Sequence, residues 1–125
     1  MIVGLGIDFL EVHRFERELA RAPWRPRDGV FTPGEIRRCN RGSRPPQRYA
    51  ACFVAKEATL KALRLAPSDL GHFREVEIAR GRKGEEVIVL HRRLKRESQR
   101  LGVRRIRLAT ASTRRHRAAM VILES

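Results

Sequence analysis

A chain of 125 residues and 14.4 kDa has length for one packed core and not two, so one domain over residues 1–125 is expected. Its residues are 42% hydrophobic and 34% charged, which excludes a fibrous, low-complexity or wholly disordered chain. No charge-free run approaches the ~20 residues of a membrane helix, and the first residues lack the order of a signal peptide, so a cytoplasmic protein is expected.

The 28 Lys and Arg against 14 Asp and Glu give a net charge of +14. The charge is uneven: residues 91–117 hold 11 basic groups and one acid, Glu97. Such a field attracts an anion, whether a phosphorylated small molecule, an acidic protein or a nucleic acid. Cys39 and Cys52 are too few for a disulfide framework and lack metal-ligand spacing, so both read as reduced and structural.

In chain order, Met1–Leu10 reads as a strand with Met1, Val3, Leu5 and Ile7 on one face. Ile2, Gly4, Gly6 and Asp8 take the other. Two glycines clear that second face, so a ligand or another backbone can come close beside Asp8. A helix over Glu11–Ala22 turns Val12, Phe15 and Leu19 inward and Arg14, Glu18 and Arg21 elsewhere. Pro23, Pro26 and Gly29 mark a loop. Thr32, Pro33 and Glu35 then form a helix start, with Thr32 as N-cap and Glu35 as its capping-box partner. Arg41–Pro46 breaks the chain, and Gln47 to about Leu63 is an alanine-rich, mostly buried helix.

The second half turns to strands. Val76 and Ile78 start a hairpin that turns at Arg82-Lys83-Gly84 and returns over Val87–Leu90. His91–Leu101 is a basic amphipathic helix with Leu94 and Leu101 inward, ended by Gly102. Ile106 and Leu108 alternate with arginines in a strand with one wet face, and the apolar run Ala118–Leu123 reads as a central strand. The sum is an α+β domain, an antiparallel sheet packed around a long central helix.

Three polar groups sit in otherwise apolar segments: Asp8, Glu57 and Lys61. Glu57 and Lys61 lie four apart on one helix face, a spacing that most often means a surface ion pair. Here the neighbours Phe53-Val54-Ala55 and Ala58 make unpaired charge costly. Two carboxylates beside a lysine can instead hold Mg²⁺ against phosphate oxygens, with Lys61 supplying positive charge to a transferring phosphate.

The segments GIDFLEVHRFER, FTPGE, FVAKEATLKAL, VEI and AAMVILE, in this order over nearly the whole chain, resemble the holo-acyl-carrier-protein synthases. These are the short type of 4′-phosphopantetheinyl transferase. The resemblance implies transfer of phosphopantetheine from coenzyme A to a serine of an apo acyl carrier protein, releasing 3′,5′-ADP. It implies Mg²⁺ on Asp8 and Glu57, and Glu57 and Lys61 as the catalytic groups. Glu57, directly or through a metal-held water, would take the serine proton. Lys61, Arg44 and Thr113 are the implied coenzyme A contacts. Arg14, with Arg21 beside it, is the implied docking surface for an acidic carrier protein. A homotrimer with sites shared between subunits is implied as well.

The chain departs from that pattern at Cys52, where the family has arginine, and at Arg64-Leu65-Ala66-Pro67, where it is glycine-rich. Near the C-terminus Ala109, Ser112 and Thr113 stand where the family carries Ser-x-x-His-Thr, and His116 follows four residues on. A homologue that has lost transfer and serves as a protein-interaction module is the alternative. A basic nucleic-acid-binding domain rests on charge alone, and residues 74–125 contain no aromatic side chain to stack on a base.

Overall fold

The computed structural model describes residues 1–21, 29–66 and 70–125. Ala22, Pro23, Pro26 and Pro67 lie outside the described residues. The elements in order are β1 (Ile2–Glu11), α1 (Val12–Arg21), α2 (Pro33–Asn40), α3 (Pro45–Ala62) and a 3₁₀ turn (Leu70–Glu75). The hairpin β2 (Val76–Arg80) and β3 (Glu86–Leu90), α4 (Arg92–Arg100), β4 (Arg105–Ser112) and β5 (His116–Glu124) follow.

β1, β5 and β4 form an antiparallel sheet with β5 in the middle, as the run Ala118–Leu123 suggests. β2 and β3 form a second, two-stranded sheet, so the strands do not join into one. The long helix α3 lies against β1 and β5 and gives the core most of its length, burying Val54, Ala55, Ala58, Leu60 and Ala62. Val121 and Leu123 of β5 meet it from the sheet.

Gly4 and Gly6 are cleared for this helix. A Cβ at Gly6 would stand 1.9 Å from the Ala58 carbonyl oxygen, and one at Gly4 would stand 2.3 Å from that of Ala62. The close partner on this face is therefore helix backbone, and only glycine admits it.

The face assignment of β1 changes at its start. A register irregularity between Ile2 and Gly4 turns Val3 to the core beside Gly4, while Leu5, Ile7 and Phe9 point outward. One extra residue in a strand shifts every side chain before it to the other face. Ala118–Leu123 is likewise covered on one side only, because Met120 pairs with Ile7 on the open face.

Helix α3 starts two residues before the expected Gln47. Pro45 and Pro46 occupy its first turn, where the missing N–H groups would have no helical partner anyway. Arg44 precedes them in the left-handed region at φ 59°. The Thr32–Glu35 capping box forms as expected, with Glu35 N donating to Thr32 Oγ1 and Thr32 N donating to Glu35 Oε1. Gly102, at φ 76°, ends α4 as expected.

Candidate active site

Asp8 and Glu57 meet because β1 and α3 touch through bare backbone. Gly6 seats the strand on Ala58, so the next inward residue of β1, Asp8, comes level with the helix turn that carries Glu57. Lys61, one turn further on, sets its Nζ 3.4 Å from Asp8 Oδ1 and 3.5 Å from the Ile7 carbonyl. The lysine thus pairs with the strand's acid across the contact rather than with Glu57 along its own helix.

Asp8 Oδ1 also accepts the Phe9 N–H at 2.9 Å. Its Oδ2 is buried and has no hydrogen-bond partner. A buried carboxylate oxygen left bare costs about 1–3 kcal/mol or more, so this atom calls for a donor or a cation. Glu57 carries the matching electrostatic signature. Burial, then the charge and close approach of Asp8, raise its pKa from 4.5 to about 8, against the opposing pull of Lys61. Glu18 adds a smaller push in the same direction. Two acids crowded in this way bind a proton when nothing better is present.

The acids open onto a cleft of about 490 Å³ whose walls include Glu11, Arg14, Glu18 and His116, with Phe15 and Phe53 at its base. The rings of Phe15 and Phe53 lie 5.1 Å apart, and Phe53 stacks in turn on Phe73 at 5.3 Å. Arg14 holds Glu18 at 3.3 Å and is mostly exposed at the cleft edge. Arg21 stands seven residues on, on the same face of α1, and is exposed.

Arg44 and Thr113 are not among the residues lining this cleft. Arg44 sits at the start of α3, and Thr113 is used inside the β4–β5 turn. Cys52 does not line it either: the residue is buried beside Cys39 of α2, and contact with that thiol, together with burial, pushes its pKa well up. Both cysteines are free thiols. Arg64 lies just past α3 at φ 61°, the left-handed position at a helix end that glycine normally fills. Ala109 pairs with Met120 and Ser112 with Arg117, away from the cleft walls.

His116 in the cleft wall is what sequence reasoning missed. Its place follows from the register that sets it opposite Glu11, and no spacing within one segment reports that pairing. Lys56, the residue before Glu57, has a different environment. It is fully buried, bonding Glu35 Oε1 at 2.7 Å and the Val76 carbonyl at 2.5 Å.

Among the described residues no group of three or more His, Cys, Asp and Glu is placed to hold a metal ion. Two carboxylates, one with a bare buried oxygen, suit a hard cation that takes one or two protein carboxylates and completes its shell with water and phosphate oxygens. No described helix is long and apolar enough to cross a membrane.

Paired acids where a strand meets a long helix suit a site that handles phosphate esters with a hard cation, and the comparisons specify the class. The model of the 4′-phosphopantetheinyl transferase superfamily matches residues 4–121. A holo-[acyl-carrier-protein] synthase of Solibacter usitatus is 37% identical over 125 residues, covering 100% of both chains. The crystal structure of holo-[acyl-carrier-protein] synthase from Neisseria meningitidis superposes with a TM-score of 0.89 over 100% of both chains, at 24% identity. That of Bacillus anthracis str. Ames, in complex with CoA (3′,5′-ADP), gives a TM-score of 0.78 at 26% identity over 100% of this chain and 98% of that one. The chain belongs to the 4′-phosphopantetheinyl transferase superfamily and, within it, to the holo-acyl-carrier-protein synthases.

Proposed function

We propose that this chain transfers 4′-phosphopantetheine from coenzyme A to a serine of an acidic apo acyl carrier protein, with Mg²⁺, releasing 3′,5′-ADP. The observation that carries the reading is the pairing of Asp8, with its bare buried oxygen, and Glu57, whose carboxyl keeps a proton to about pH 8. Asp8 and Glu57 would hold the Mg²⁺, which supplies charge stabilisation on the diphosphate oxygens. Lys61, beside Asp8, places a second positive charge where negative charge grows on the leaving side. The serine oxygen forms the new bond to phosphorus, the bond to 3′,5′-ADP breaks, and the serine proton leaves. Glu57, directly or through a bound water, is the group we assign to receive that proton, since it faces the cleft beside Asp8.

Arg14 at the cleft edge and Arg21 on the same helix face suit an acidic carrier presenting its serine to Glu57. The open face of the three-stranded sheet supports a homotrimer: Leu5, Ile7 and Phe9 are 55%, 57% and 70% exposed, with Met120 beside them. An apolar stripe of this kind needs a cover. Arg44, at the start of α3, is assigned to coenzyme A binding. A cytoplasmic location fits this chemistry.

The test is incubation with apo acyl carrier proteins, coenzyme A and Mg²⁺, read by the carrier's mass. Gain of one phosphopantetheine, lost when Mg²⁺ is chelated, is the expected result. No gain with several carriers would favour the interaction-module alternative. A monomer by light scattering at micromolar concentration would remove the trimer.

A further inference from the structure

His116 opens β5 and lines the cleft with Asp8, Glu57 and Arg14, and the turn before it settles which of its nitrogens carries a proton. Thr113 Oγ1 accepts the backbone N–H of His116 at 3.0 Å and that of Arg115 at 3.3 Å. A hydroxyl has two lone pairs and one proton. With both lone pairs used, the Thr113 O–H is left to donate, and His116 Nδ1 lies 3.3 Å away. Nδ1 therefore accepts, and the neutral ring carries its hydrogen on Nε2.

The turn itself is braced. Thr113 N donates to the His116 carbonyl at 3.0 Å, and Arg117 Nη1 donates to the Thr113 and His116 carbonyls at 2.6 and 2.8 Å. Nε2 is the opposite edge of the ring, and no described group takes it up.

We propose that His116 Nε2–H is a hydrogen-bond donor to a phosphate oxygen of the coenzyme A diphosphate, with Thr113 as the positioning residue that selects this tautomer. The assignment rests on the transferase reading of the cleft. It gives this chain a hydrogen-bond donor in a wall whose charged side chains are otherwise Asp8, Glu11, Glu18, Glu57 and one arginine tied to Glu18. A fixed N–H attracts phosphate oxygen without having to change its charge. Thr113 then serves coenzyme A through the histidine rather than by its own contact.

Two measurements test it. Imidazole nitrogen NMR of the free protein should show the Nε2–H form of neutral His116 dominant, mixed in Thr113→Val and restored in Thr113→Ser. A dominant Nδ1–H form overturns the assignment. Calorimetry with coenzyme A and Mg²⁺ should show His116→Ala binding about 10- to 100-fold more weakly, the range for one hydrogen bond to a charged group. His116→Gln, which keeps an N–H near the Nε2 position, should recover part of the loss at unchanged melting temperature. Unaltered affinity in His116→Ala overturns this proposal alone, whereas no coenzyme A binding by the unsubstituted protein overturns the transferase reading and the proposal with it.

Discussion

Lys56 and Glu57 are neighbours on α3, yet their surroundings differ in kind. Lys56 points into the core, where Glu35 answers its charge and the Val76 carbonyl takes another of its hydrogens. Glu35 is satisfied in turn by the N–H groups of Thr32 and Ile78, at 2.8 and 2.7 Å. Every polar atom of that pair has a use inside the fold. Glu57 points to the sheet's edge, where Asp8 repels it, Lys61 favours its sibling, and a buried oxygen stays bare. The first cluster ties α2, α3 and β2 together. The second is held in place by the same helix but left short of positive charge. A rigid, saturated pair one residue away is what allows an unsaturated pair to persist in fixed geometry.

The contrast can be broken from either side. Lys56→Met strands the Glu35 carboxylate in the core and should cost about 3–5 kcal/mol in urea unfolding. Asp8→Asn should do the reverse: it relieves the repulsion on Glu57 and leaves unfolding stability nearly unchanged. Phosphopantetheine transfer should fall by about 10²–10³-fold, the range for loss of one transition-state charge stabiliser. A variant that keeps its transfer rate would take Asp8 out of the chemistry.

Acid–base titration sharpens the comparison. The raised Glu57 pKa means that the folded chain holds a proton the unfolded chain has released, over the window from 4.5 to about 8. Metal-free stability should therefore fall as pH rises through that window and level off above it. Glu57→Gln should remove that part of the slope in melting temperature against pH, and Mg²⁺ should raise the melting temperature most near its upper end. Arg14→Glu, at the cleft edge, should raise KM for the carrier about tenfold and leave kcat nearly intact. Smallest of all, Arg64→Gly should add up to about 1 kcal/mol of stability, because glycine takes the left-handed position at the end of α3 without strain.

The pairing of acids was legible where local pattern controls it. Two glycines before Asp8 announced a close approach, and a charged pair within the apolar run of α3 announced a partner. The capping box, the hairpin and the central place of Ala118–Leu123 are set by neighbouring residues and followed the pattern. What stayed hidden depends on distant parts of the chain. Glu35 finds Lys56 across 21 positions, and His116 reaches the cleft only through the pairing of β5 with β1. Val3 changes sides because of one irregular residue, which alternation cannot foresee. Cys52 is turned to Cys39, which only the packing of α2 on α3 shows.

Asp8 lies between Ile7 and Phe9, and the pleat sends it inward while they face out. The same three residues thus border two environments. Strip whatever covers Ile7 and Phe9, and the strand gains freedom at the position that holds the carboxylate. Under the proposed trimer and the proposed Mg²⁺ site, dilution should therefore weaken cation binding through a single peptide ribbon.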